Sequence, residues 1–158
     1  MLATATTPVS VTGRSSAPSR RMPRQSVSEI PARGMTNRSP LELLILSRQG
    51  LAEAGEETRD GARYATAHLA ALRAAAAVLS IRARINSGQR GRVTNVWRLL
   101  AQVAPELQEW AEYFAQTAHK RTMAQAGVPR VVTTREADDL LRDADHFVSV
   151  VTELIGLR

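Results

Sequence analysis

Asp60 to Arg84 reads DGARYATAHLAALRAAAAVLSIRAR, and the interpretation of this stretch decides the fold. It opens on turn residues and then runs from Ala62 to Arg84 without Pro or Gly. Most of its residues are Ala, Leu and Arg, the strongest helix formers. The pattern predicts one helix of about six turns, at roughly 3.6 residues per turn. At about 100° per residue, Tyr64, His68, Ala71, Leu72, Ala75, Val78 and Leu79 share one face, and Arg59, Arg63, Thr66 and Arg73 lie on the other side. His68 thus sits within an apolar stripe. Alanines at 67, 70, 71, 74, 75, 76 and 77 keep the stripe thin enough for neighbouring helices to approach closely. Such a helix belongs at the centre of a bundle or of a dimer.

Helix signals recur on both sides of it. Ser39-Pro40-Leu41-Glu42 offers an N-cap Ser, Pro at the first helical position and Glu three residues after the cap, a capping box. Leu41, Leu44, Ile45 and Leu51 give that helix an apolar face, and it is expected to end near Glu57. Ile85 to Arg92, INSGQRGR, reads as an exposed loop. Thr94 is placed to cap a short helix, NVWRLLAQVA, with Trp97, Leu100 and Val103 turned inward. Pro105 ends it and opens a fourth helix reaching about Ala126, with Leu107, Trp110, Ala111, Phe114 and Ala118 as its core face. Gly127 and Pro129 form a stop. Thr133 to Glu136 supplies a second capping box. The last helix has the clearest period, with Ala137, Leu140, Leu141, Ala144, Phe147, Val148, Val151, Leu154 and Ile155 on its apolar face. The expected fold is all-α: a compact bundle of four long helices plus one short helix.

The 158 residues suggest one domain, with 44% apolar residues and 4% aromatic. There is no cysteine, which excludes a disulfide framework, a thiol nucleophile and a Cys-based zinc site. No uninterrupted apolar run approaches the roughly 20 residues of a membrane span, and a cytoplasmic protein with no membrane partner is expected. The formal charge is +6. Residues 1–38 hold six Arg and one Glu among Ser, Thr and Pro, so this basic tail is expected to be disordered, with the helical domain spanning 39–157. Met35 offers an alternative start that would place the tail upstream of the protein. Between Gly61 and Ala104 lie Arg63, Arg73, Arg82, Arg84, Arg90, Arg92 and Arg98 with no Asp or Glu. That zone reads either as attraction for a phosphate backbone or as a solvated arginine face with a basic loop.

The three histidines are His68, His119 and His146. No nucleotide-binding glycine loop and no HExxH or ExxH is present, and no metal or cofactor is expected. His146, with Arg142 and Asp143 one turn before it, reads as part of a surface salt-bridge stripe. His119, followed by Lys120 and Arg121, suits a helix C-terminus. Arg63 and His68 remain, separated by four residues. This pair, the all-helical layout and the stretches RYATAHLAALRAAAAVL, VAPELQEWAEYF and TTREADDLLRDADHF resemble the HEPN superfamily (higher eukaryotes and prokaryotes nucleotide-binding), in particular a small actinobacterial HEPN family of unassigned role.

The resemblance covers roughly Pro40 to Ile155. It implies an RNA- or nucleotide-binding protein and a homodimer packed partly through the Ala-rich helix. It also implies a metal-independent endoribonuclease built on the Arg-x4-His motif at the dimer interface. There His68 would move protons during attack of a ribose 2′-hydroxyl, and Arg63 would neutralise phosphoryl charge. Arg73, Arg82, Arg84, Arg90 and Arg92 would serve as RNA- or phosphate-binding residues. The alternative is a catalytically inactive helical module, partner of a nucleotidyltransferase or of a toxin-antitoxin type protein encoded nearby. On that reading His68 is a buried histidine bonded to a helix carbonyl or to Tyr64, and Arg63 a surface residue near Glu56 or Asp60.

Overall fold

Ser39 starts the first helix as its sequence suggests: its hydroxyl accepts from the Glu42 amide at 3.1 Å while its own amide donates to the Glu42 carboxylate at 3.0 Å. A computed structural model describes residues 38–83 and 95–156. The expectations for the N-terminal tail, for the loop and for Arg84, Arg90 and Arg92 lie outside the described residues. Within them run α1 (Pro40–Glu56), α2 (Asp60–Arg82), α3 (Val96–Val103), a 3₁₀ turn (Pro105–Leu107), α4 (Gln108–Gln125) and α5 (Thr134–Ile155). The fold is all-α, with four long helices and one short one among the described residues.

Helix α1 turns Leu43, Ser47, Gly50 and Ala54 toward α2, a row at helical spacing. The smallest of these residues fixes the distance, since a Cβ on Gly50 would meet the Cβ of Ala70 at 3.3 Å. Across the same contact Ser47 donates to the Ala70 carbonyl at 2.6 Å, and Arg73 donates to the carbonyl of Leu46 at 3.2 Å. This register corrects the expected apolar face: Leu44 and Leu51 are buried, but Leu41 and Ile45 are exposed. The small-residue row, not the row of large aliphatics, decides which side of α1 approaches α2.

Helix α2 is the centre. Ala67, Ala70, Ala71, Ala74, Ala75 and Ala77 are fully buried and Ala76 nearly so, covered by α1, α3, α4 and α5 of the same chain. Its burial therefore extends around the helix instead of following one stripe. The surface of these alanines is occupied within the chain, so the part of α2 left for the expected homodimer contact is its partly exposed side, with Arg63, Thr66, Leu69 and Arg73. Over its 23 residues α2 is long and apolar enough by composition to cross a membrane, although Arg63, Arg73 and Arg82 interrupt it. In the bundle, 61% of its most apolar window is buried against other helices.

Asn95 caps α3, its side chain accepting from the Trp97 amide at 2.9 Å, while the expected cap Thr94 lies outside the described residues. Pro105 opens one 3₁₀ turn before α4 begins at Gln108. Gly127 ends the α4 region with φ 78°, left-handed backbone that glycine adopts without Cβ strain. The Thr133 capping box then starts α5, and its Glu136 also pairs with Lys120 of α4 at 2.5 Å. Helices α3, α4 and α5 supply the aromatic core: the Trp97 and Phe114 rings stack at 5.0 Å, and Phe114 lies 5.2 Å from Phe147. Val103, Trp110, Leu141 and Ile155 border this core half-buried, whereas Leu154 is exposed.

Candidate functional site

The start of α2 has no side-chain cap. Arg59, which precedes it, folds back on Glu57: its amide, Nε and Nη2 donate to that carboxylate at 3.0, 3.1 and 3.1 Å. These bonds hold the Glu57 carboxyl down to about 2. One turn into α2, Arg63 donates from Nε to the Glu57 carbonyl at 2.9 Å, and its Nη1 pairs with Asp138 of α5. Asp60 lies 4.0 Å from Nη2 and also accepts a hydroxyl bond from Thr134 at 2.8 Å. Arg63 thus ties the end of α1 to the starts of α2 and α5, and its side chain is only 16% exposed.

His68 lies in a different environment. It is 1% exposed, with Trp97 and Phe114 each set edge-on to its ring at 5.7 Å. Nε2 is 3.1 Å from the Phe114 carbonyl. A carbonyl can only accept, so Nε2 carries the proton and Nδ1 is left as a buried acceptor with no partner. Burial lowers the pKa of His68 to about 4; the Phe114 carbonyl opposes the shift, and the charge of Arg121 adds to it. The ring is neutral at pH 7. Five positions on a regular helix separate Arg63 and His68 by about 140°, and their hydrogen bonds run to different partners: Arg63 to the rim between α1 and α5, His68 inward to α4.

Of the expected phosphate-binding arginines, Arg73 is engaged with the Leu46 carbonyl, and Arg82 donates to the Val103 carbonyl at 3.3 Å and pairs with Glu106 at 2.5 Å. His146 sits edge-on to Trp110 at 5.2 Å, while Arg142 bonds Asp139 and Asp143 accepts from Tyr113. The expected stripe around His146 is therefore partnered otherwise. His119 is exposed on α4. Among the described residues, no group of three or more His, Cys, Asp or Glu could hold a metal ion.

Sequence reasoning missed Arg121. Grouped there with Lys120 as charge at a helix end, it is instead 9% exposed, and its Nε is buried without a partner. The missed signal is register: Phe114, Ala118 and Arg121 follow one another at helical spacing on the buried side of α4. Arg121 lines a groove of about 1140 Å³ between the start of α2, the end of α4 and the link to α5.

A helical bundle whose buried central helix carries Arg63 and His68 with four residues between them has the layout of a HEPN module. The model of the family described as HEPN_SAV_6107-like HEPN matches residues 54–152, and the chain belongs to that family. No curated protein and no solved structure matches it.

Proposed function

We propose that this chain is a non-catalytic HEPN module that works by binding. The observation that carries this reading is His68. A general acid or base must reach the proton it transfers, within about 3 Å or through one water. His68 is enclosed by Trp97 and Phe114, bonded to a helix carbonyl and held neutral by burial. Arg63, which would have to neutralise a phosphoryl group, already has Asp138 and the Glu57 carbonyl as partners.

One end of the bundle suits a protein partner. Arg48 of α1 bonds Thr152 of α5, and Asp60 and Arg63 of α2 meet Thr134 and Asp138 of α5. At about 1.5 Å of rise per residue, these contacts bring the start of α1 and the ends of α2 and α5 to the same level. The exposed Leu41, Ile45, Ile81 and Leu154 all belong to those ends. The partner is a second copy of the chain or a protein encoded beside it.

The test incubates the full chain at high concentration with single-stranded and structured RNA in excess EDTA, beside His68→Ala. RNA is expected to stay intact in both. Cleavage by the wild type that leaves a 2′,3′-cyclic phosphate and is lost in the variant would overturn this reading in favour of the composite nuclease. Light scattering of the wild type beside Leu41→Asp/Ile45→Asp checks self-association at the apolar end.

A further inference from the structure

Arg121 is the one described arginine that is both buried and left without a counter-charge. An arginine buried to this degree is ordinarily paired, because removing a charge from water costs several kcal/mol unless a partner replaces the solvent. Burial is the only influence on its pKa, which falls below the ordinary arginine value. Its Nε has no hydrogen-bond partner, and the side chain borders open space, since it lines the groove together with Gly61, Thr66, Leu69, Ala124 and Arg130.

The rest of the groove fits the same need. The two carboxylates on its border are already engaged, Glu57 by Arg59 and Asp60 by Thr134 and Arg63. Arg130 stands on the border with φ 59°, a strained backbone for a residue with a side chain, and has no ion pair among the described residues. The first turn of α2, with Asp60, Gly61 and Ala62 on the groove, has no side-chain cap, so its N–H groups and helix dipole favour negative charge there. Arg121, Arg130 and a helix start thus border one cavity, with Arg59 on its lining held by Glu57, Thr66 and Gln125 adding polar groups, and Ala62, Ala65, Leu69, Val131 and Val132 supplying apolar wall.

We infer that the groove between α2 and α4 is a phosphate site, with the Arg121 guanidinium as its buried anchor and Arg130 closing on the anion from the rim. Two cationic forks match a phosphate dianion better than a single carboxylate, since a guanidinium binds two phosphate oxygens at once. The phosphate arrives as the free ion or on a small monoester whose organic part lies on the apolar wall; the volume admits either. Neither Arg63 nor His68 lines the groove, and the site goes beyond the binding role proposed above, because it holds whether or not a protein partner docks at the apolar end.

The experiment titrates the full chain with inorganic phosphate, adenosine monophosphate and adenosine, following heat of binding and melting temperature in wild type, Arg121→Met and Arg130→Ala. Phosphate or the monophosphate is expected to bind and raise the melting temperature, with adenosine at least about tenfold weaker, the loss that one missing charge-assisted contact produces. Tighter binding of the monophosphate assigns a monoester, and the reverse order assigns the free ion. Arg121→Met is expected to abolish binding while the unliganded protein melts at the same or a higher temperature, because an unpaired buried charge has been removed. Arg130→Ala is expected to weaken binding less. Neither anion binding, adenosine binding as well as its monophosphate, or Arg121→Met binding like wild type would each overturn the proposal.

Discussion

Replacing His68 by Leu should remove a large part of the protein's sensitivity to mild acid. In the folded state its pKa is lowered to about 4, first by burial, whereas in the unfolded chain it returns to the ordinary histidine value of 6.5. Between these values the unfolded state binds more protons, so stability is complete above pH 6.5 and is lost as pH falls toward 4. A gap of this size corresponds to about 3 kcal/mol in full, of which about 2 kcal/mol is lost by pH 5. Leu nearly fills the space between Trp97 and Phe114 and introduces no charge. The Phe114 carbonyl keeps a second donor in the Thr117 hydroxyl at 3.0 Å. Urea unfolding of both proteins at pH 7.5 and pH 5.0, followed by the fluorescence of Trp97 and Trp110, measures the effect. His119 and His146 remain in both proteins and cancel in the comparison. Wild type is expected to lose about 2 kcal/mol more than His68→Leu over that interval. Equal losses would mean that His68 reaches solvent in the native state, and would refute both its burial and the non-catalytic reading built on it.

Gly50→Leu should cost about 2 kcal/mol in urea unfolding, because a side chain there is forced against Ala70 at the α1–α2 crossing. Arg63→Met should cost about 1 to 2 kcal/mol by removing bonds to the Glu57 carbonyl and Asp138, and Asp138→Asn, altering an exposed carboxylate, should cost less by the same measurement. Thr133→Ala removes the cap of α5 and should lower stability by about 1 kcal/mol, with faster amide exchange in the first turn of that helix.

Much of this bundle was legible because its signals are local. Two capping boxes, the stop at Gly127 and the period of α5 each depend on residues within a few positions of one another, and the structure places them where the sequence does. The errors fall where the answer depends on a neighbouring helix. Leu41 and Ile45 look like a core face in isolation, yet α1 turns the row containing Ser47 and Gly50 inward, since small residues permit the closer approach to the alanines of α2. The cap of α3 is Asn95, a choice among neighbouring polar residues that hydrogen bonding to Trp97 decides and composition does not.

The candidate site shows the same division more sharply. Helical periodicity put His68 on an apolar stripe, and that much of its burial was legible. What it could not supply is the identity of the groups that enclose the ring: Trp97 and Phe114 come from two other helices, and the carbonyl that takes its proton belongs to α4. A spacing of five residues likewise leaves Arg63 free to converge with His68 or to turn away, because its side chain is long enough for either. The deciding fact is Asp138, 75 residues further along the chain. Arg121 was hidden for the opposite reason. A basic residue near a helix C-terminus already has a sufficient local explanation in the helix dipole, so nothing in the sequence asks whether it also faces the core. Only the packing of α4 against α2 turns it inward and leaves its charge uncompensated, and that uncompensated charge beside open space is the ground for proposing an anion there.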